Sequence, residues 1–315
     1  MRHRHSRFGA MLLFAALAAS PWTASPWASC QGAAGPAPGS PAGQEAASSA
    51  GLSLYRVAAR ADWAARVLSL SVELDVAGAG LRLPAGRLEA ERMVERELPA
   101  LMKDAVFGLQ VDSFRSLGDT IADGSVEVDE LLSLAELAER KEAVFSRDLK
   151  TFRAVYELPL LAAASLYVRH SSPTALRASM DFRPTKAYTG IVIYAKGELP
   201  LRGESGEAEA RPCFFPRVFD EEMNLIVERN AVSPEALARW GEVGYAEGLS
   251  LDSLERVGES PLKLVAAAVF GTGRTDLVIS RDDALKILGR PENRALVAEG
   301  RVLFVLDEVS GREGR

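Results

Sequence analysis

Residues 189–195 read T-G-I-V-I-Y-A and give the first indication of the fold. The run I-V-I-Y has no polar face, which is typical of a strand deep in a sheet whose two faces are both covered. Residues 66–76 alternate instead, with Leu or Val at every second position and Ser, Glu or Asp between them. This period of two predicts a strand with one buried and one solvated face. The chain therefore contains two kinds of strand.

Helices and further strands are mixed around these two segments. Helical spacing predicts helices at residues 87–107 and 128–140, and Pro99 is expected to kink the first or to begin a second one. Ser233 and Ser280 are N-terminal cap signals for two shorter helices. Further strands are predicted at residues 145–161, 215–219, 225–227, 262–270, 277–279 and 302–306. Because helices and strands do not strictly alternate, we expect an α+β fold, with mixed or antiparallel sheets and packed helices.

The first thirty residues have the layout of a secretory leader. Three arginines precede an apolar run at 11–19, and this run is too short to span a bilayer. Cleavage after Ala18 would release an unanchored protein, whereas cleavage before Cys30 would leave an acylated cysteine at the new N-terminus. Residues 31–51 are rich in Gly, Ala, Pro, Ser and Gln, which predicts a disordered tether. A tether after Cys30 favours the lipid anchor, and hence a periplasmic protein held at the outer membrane.

Two folded modules are expected after this leader. The signal peptide takes residues 1–30, the tether residues 31–51, and the modules residues 52–180 and 185–310. The boundary falls where the hydrophobic pattern weakens, in a stretch that contains Pro173 and Pro184.

Charge and residue usage exclude several classes of function. The leader holds three of the 37 basic residues and no acidic one, so the mature chain has 34 basic and 43 acidic residues and a net charge of about −9. A chain this acidic is a poor candidate for binding nucleic acid. After Cys30 only Cys213 and His170 remain of their residue types, which excludes zinc sites built from paired histidines or thiolates. We therefore expect no metal and no cofactor, and we interpret His170 as an exposed residue at the end of an element.

Other motifs have structural explanations. Gly78-Ala79-Gly80 and Gly271-Thr272-Gly273 are interpreted as turns, because each lacks the further residues of a nucleotide-binding loop. Asp282-Asp283 fits the first turn of a helix, where acids stabilise the helix dipole. Asp220-Glu221-Glu222 is interpreted as loop charge. The phenylalanines at 214, 215 and 219 are assigned to core packing, with an exposed docking patch as the alternative.

The second half resembles a known family. The segments that carry the likeness are Y-T-G-I-V-I-Y-A-K-G (188–197), F-P-R-V-F-D-E (215–221), V-G-E-S-P-L (257–262) and V-L-F-V-L-D (302–307). Their order resembles the LPP20-type lipoproteins and the related domain of the flagellar assembly protein T, over about residues 185–307. Tyr194 stands where that family has an acidic residue, and Met223-Asn224 where Gly-Arg is common.

The resemblance implies a non-enzymatic envelope protein, often lipidated, with protein partners in flagellar or outer-membrane assemblies. It names no binding residues, so Cys30 is the one modification site that the sequence predicts. Two alternatives remain: a periplasmic hydrolase that uses paired carboxylates, and a protein that binds polysaccharide or another small ligand without turnover.

Overall fold

The computed structural model describes residues 54–82, 84–181 and 183–310. The predicted leader, the tether and Cys30 lie outside these residues. The described part confirms the α+β class, with helices and sheets in comparable amounts. It belongs to a single compact unit, in which buried residues of both halves form one connected core.

A four-stranded antiparallel sheet, in the order β1-β2-β4-β3, forms the first half. Its strands are β1 (Tyr55–Asp62), β2 (Val67–Asp75), β3 (Glu139–Phe145) and β4 (Thr151–Pro159). The predicted alternation is confirmed, since Leu68, Leu70, Val72 and Leu74 are buried and the residues between them are half-buried. The sheet therefore has one face on the core, as a period of two requires.

Helices α1 (Arg87–Phe107), α2 (Leu117–Ala122) and α3 (Val128–Glu136) connect β2 to β3, and α4 (Leu160–Ser165) follows β4. Pro99 lies inside α1, which continues through it. The helix predicted at 128–140 ends at Glu136, and residues 139–145 pair with β4 as a strand. The ladder with β4 accounts for the change, and from this strand the Arg140 guanidinium reaches Glu95 on α1 at 2.9 Å and Glu91 at 3.6 Å.

A seven-stranded mixed sheet, in the order β10-β13-β5-β11-β12-β8-β9, forms the second half. Its strands are β5 (Ile191–Tyr194), β8 (Val218–Asp220), β9 (Leu225–Val227), β10 (Gly244–Ala246), β11 (Leu262–Phe270), β12 (Asp276–Ile279) and β13 (Val302–Val305), with a separate hairpin β6 (Leu199–Pro200) and β7 (Glu207–Ala208). Strands β10, β13, β5 and β11 are mutually parallel. The sequence did not predict β10.

Four helices pack on this sheet: α5 (Pro234–Trp240), α6 (Leu251–Val257), α7 (Arg281–Leu288) and α8 (Pro291–Ala298). On one face, Val257 of α6 packs with Val192, Leu303 and Val305 in a small separate cluster. The other face joins the main core. Strands β5, β12 and β13 are therefore covered on both sides, as the run I-V-I-Y predicted, whereas β11, between β5 and β12, alternates buried and exposed residues along most of its length.

Candidate functional site

The turn at residues 111–113, which follows α1, inserts into the second half. The Ser113 hydroxyl donates to the carbonyl of Phe270 at 2.8 Å, and the Ser113 carbonyl accepts from the amide of Gly273 at 2.6 Å. Gly271 has φ +86°, and a Cβ there would lie 2.2 Å from the Ser113 hydroxyl. The Gly271-Thr272-Gly273 turn is thus the receptor for a serine from the other half of the chain.

Trp63 makes a second connection between the halves. Its ring packs edge-on against Phe214 and Tyr245, with centroids 5.1 and 6.0 Å apart, and its amide donates to the carbonyl of Val309 at 3.0 Å. The rings of Phe214 and Phe215 are buried in the main core and do not form a docking patch, whereas the buried ring of Phe219 lies beneath Phe270 and supports it. The two halves are therefore held in one arrangement by backbone and aromatic contacts.

A cleft of about 420 Å³ opens beside Trp63, and we call it the junction cleft. Ala61, Trp63 and residues 108–110 line it from the first half. The second half supplies Ala195, residues 209–212, Asp307, Glu308 and Ser310. Ala195 follows β5 and Asp307 lies two residues after β13, so the cleft lies at the carboxyl ends of two parallel strands. This is where ligands bind in many sheets of this kind.

Buried polar groups lie close to the junction. The Tyr245 hydroxyl donates to the carbonyl of Cys213 at 2.8 Å and accepts from its amide at 3.1 Å. Burial raises the pKa of the Cys213 thiol well above its usual value. Glu242 is 1% exposed, and neither carboxyl oxygen has a hydrogen-bond partner among the described residues. Burial raises the pKa of Glu242 well above its usual value, which favours the neutral form of the side chain.

Two buried charged groups are satisfied by partners. The Asp276 carboxylate accepts from Arg217, with their closest atoms 2.8 Å apart, and burial raises its pKa to about 6. The guanidinium of Arg256 donates to three carbonyl groups, those of Trp240, Gly241 and Gly300, at 2.7–2.9 Å. Burial lowers the pKa of Arg256 to about 9. These groups fix loops and helix ends in place.

The histidine and the acidic clusters that the sequence analysis considered each make local contacts in the structure. His170 is half-buried and not exposed as predicted, with Nε2 2.8 Å from the carbonyl of Val232. Asp220 is buried and closes its own turn by accepting from the amides of Glu222 and Asn224. Asp282 and Asp283 lie in the first turn of α7, as predicted. No group of three or more metal-ligating side chains comes together within the described residues.

An aromatic patch, formed by Phe114, Arg217, Phe219, Leu225 and Phe270, was missed by sequence reasoning. The Phe114 ring packs edge-on against Phe270 at 6.0 Å, and Phe270 packs against Phe219 at 5.9 Å. The Arg217 guanidinium lies 5.4 Å from the Phe114 ring centroid and 5.5 Å from that of Phe219. Phe114 is 51% exposed and Leu225 39% exposed. In the sequence, Phe114 is a single aromatic residue within a polar turn, so nothing indicates that it packs against Phe270 and Arg217.

Two family models match this chain, one over each of the two halves that contain the sheets. Residues 55–166 match the family model described as Treponema pallidum Tp0624, N-terminal domain, and residues 190–308 match the model of its second domain. The chain is similar to the first two domains of Tp0624. Neither model is that of the LPP20-type lipoproteins or of the flagellar assembly protein T. A search of curated proteins found no match.

The described residues contain no helix with both the length and the hydropathy needed to cross a bilayer. The match to Tp0624 covers both sheets in the same order, so the tandem arrangement is shared with that protein. Because the junction cleft and the aromatic patch each draw residues from both matched segments, both surfaces depend on the tandem.

Proposed function

We propose that this protein is an exported, lipid-anchored component of the cell envelope that acts without catalysis, by binding another protein at the aromatic patch. The leader, Cys30 and the tether support export and acylation at the outer membrane. The resemblance of residues 185–307 to LPP20-type lipoproteins supports a role in a flagellar or outer-membrane assembly. The half-exposed aromatic patch is the surface that we propose for this binding.

The half-exposed ring of Phe114 carries the proposal. The contact of a large aromatic side chain with water is unfavourable, and burying such a side chain against a partner contributes about 1.5–3 kcal/mol of binding free energy. Its position is fixed, because the neighbouring Ser113 is anchored to the Gly271 turn and Phe270 supports the ring. Rigid aromatic and arginine side chains at the centre of a surface are the residues that most often dominate binding energy.

Charge around the patch indicates the partner. Arg202 donates to the carbonyl of Glu221, and its amide bonds to Val269, beside Phe270. Arg274 follows the Gly271 turn that receives Ser113. Neither arginine forms an ion pair with a carboxylate of the described residues. Two guanidinium groups that have no carboxylate partner, next to an apolar centre, fit an acidic segment that presents an aliphatic or aromatic side chain.

The test is the loss of binding in Phe114→Ala. A photo-reactive residue at the exposed Thr272 would capture the partner in intact cells, and the purified partner would then be titrated directly. We expect Phe114→Ala to weaken binding by at least tenfold, as for a residue at the centre of an interface. Leu137→Ala is the matched control, because Leu137 is also 51% exposed but lies after α3. Equal binding by both variants would refute the patch.

The anchor is tested separately. Metabolic labelling with a palmitate analogue should mark the wild type and fail on Cys30→Ala. Equal labelling of both would refute acylation at Cys30, and release after Ala18 would then be the better interpretation. Turnover of peptidoglycan or another envelope polymer by the purified protein, abolished by neutralising one carboxylate, would overturn the non-enzymatic proposal in favour of the hydrolase.

A further inference from the structure

We propose that the junction cleft binds a small zwitterion of about the size of a dipeptide, with an apolar side chain. This site is separate from the aromatic patch and does not depend on the proposed protein partner. Three features of the cleft carry the inference: its place in the sheet, its pair of unpaired opposite charges, and the apolar part of its lining.

The place is the carboxyl ends of β5 and β13, closed on the other side by Trp63 and residues 108–110. Parallel strands end there in loops, so a ligand can reach backbone and side-chain groups of several segments. The volume of about 420 Å³ falls within the range of small-ligand sites. Trp63 is held by two aromatic rings and a backbone hydrogen bond, which makes this wall rigid before any ligand arrives.

Glu209 and Arg211 supply the opposite charges. Ala208 and Ala210 are buried and residues 207, 209 and 211 are exposed, so the strand alternation continues past β7 and places Glu209 and Arg211 on the same side. Neither side chain has a partner among the described residues, whereas the Asp307 carboxylate contacts Lys196 at 3.8 Å. A free carboxylate and a free guanidinium in one cleft match a ligand with an ammonium and a carboxylate group.

The volume of the cleft limits the size of the zwitterion. The Cα atoms of Glu209 and Arg211, two positions apart in an extended segment, are separated by about 7 Å, and their flexible side chains can hold charged groups at the two ends of a short peptide. The cleft of about 420 Å³ has room for a ligand larger than a single α-amino acid. The lining is mixed: Ala61, Trp63, Leu109, Ala195, Ala210 and Pro212 are apolar, and Gln110, Asp307, Glu308 and Ser310 are polar. The apolar part of the lining would receive an apolar side chain of the ligand.

Titration calorimetry with the dipeptide alanyl-leucine tests the site. We expect the free dipeptide to bind the wild type, and its N-acetylated and C-amidated forms to bind at least tenfold more weakly. Glu209→Gln should weaken binding of the free dipeptide at least tenfold but leave the affinity for the N-acetylated form unchanged. Arg211→Met should behave in the same way towards the C-amidated form. These crossed losses assign each end of the ligand to one residue.

Glu247→Gln and Arg82→Met are the matched controls, because both residues are exposed and neither lines the cleft. They should bind the dipeptide as the wild type does, and all variants should share its circular dichroism spectrum. No heat and no chemical-shift change with millimolar dipeptide would overturn the proposal. So would Glu209→Gln and Arg211→Met variants that bind the free dipeptide as tightly as the wild type.

Discussion

The two sheets of this protein bury their strands in different ways. In the first sheet, β2 and β4 alternate between buried and more exposed residues, and only one face lies on the core. In the second, every residue of β12 and β13 is buried, because α6 packs on one face of the sheet and the other face lies on the main core. A period of two therefore marks a sheet with one covered face, and a continuous apolar run marks a sheet with two. Nevertheless, the two sheets share one core.

The largest losses of stability should come from removing a buried phenylalanine ring from either sheet. Phe152→Ala in β4 and Phe304→Ala in β13 should each lower the free energy of unfolding by about 3–5 kcal/mol, because each empties a fully buried site. Since the core is continuous, urea denaturation followed by tryptophan fluorescence and by circular dichroism should give one coincident transition. Separate transitions for the two sheets would show that they fold independently.

The junction itself can be tested at Gly271. Gly271→Ala should cost about 2–4 kcal/mol, because the added Cβ collides with the Ser113 hydroxyl at a positive φ. Gly197→Ala is the control: Gly197 has φ +77° but nothing within 4 Å of the added Cβ, so we expect about 1 kcal/mol. Equal losses in thermal or urea unfolding would mean that the contact between the halves contributes little.

The buried carboxyl of Glu242 should make stability depend on pH. The pKa of Glu242 in the folded protein is raised above its value of about 4.3 in the unfolded chain. The stability that the protonated Glu242 contributes is therefore complete below about pH 4.3 and is lost as the pH rises towards the folded pKa. We expect the free energy of unfolding to fall by at most about 1.4 kcal/mol per pH unit in that range. Glu242→Gln should remove the part of this slope that Glu242 contributes, which urea titrations at several pH values would measure.

Asp276 must be separated from this effect. Its pKa is raised to about 6, so it adds a similar fall between about pH 4 and pH 6. A slope that remains in Asp276→Asn and becomes smaller in Glu242→Gln identifies the contribution of Glu242. The same slope in Glu242→Gln and in the exposed control Glu247→Gln would contradict the assignment.

The smallest effects compare helix caps in the two halves. Ser116 accepts from the amide of Asp119 at the start of α2, and Ser233 accepts from that of Ala236 at the start of α5, both at 3.2 Å. Replacing either serine by alanine should cost about 1 kcal/mol. The midpoint of urea unfolding should shift equally in the two variants if both halves unfold in one cooperative transition. A shift in only one variant would indicate that the other helix end frays locally without affecting the global transition.

The sequence predicted those parts of the fold that depend on local periodicity. The alternating strand β2, the amphipathic helix α1 and the capped helices α5 and α7 all lie where their patterns placed them. The prediction was wrong where it extended a helix to residue 140, because β3 begins at Glu139. The first residues of β3, E-R-K-E, are exposed, and in sequence such a charged segment resembles the polar end of a helix. Strand β10 spans only three residues, too few to show a period.

The candidate sites could not be predicted in this way. Residues 61–63, 108–110, 209–212 and 307–310 meet at the junction cleft, although stretches of about fifty to one hundred residues separate them. Glu242 lies in G-E-V-G-Y, a segment that in sequence alone has the pattern of an ordinary surface acid, and only the tertiary structure shows that it is buried. Burial and long-range pairing are properties of the tertiary structure, and local propensity contains neither.

The enclosure of Cys213 has a practical consequence for experiments. It is the sole cysteine of residues 54–310 and is 1% exposed, and its thiolate form is strongly disfavoured. Reagents such as maleimides need an accessible thiolate. A cysteine introduced at a surface position of these residues should therefore react alone, so that fluorophores or spin labels could report distances across the two halves without removing the native sulfur.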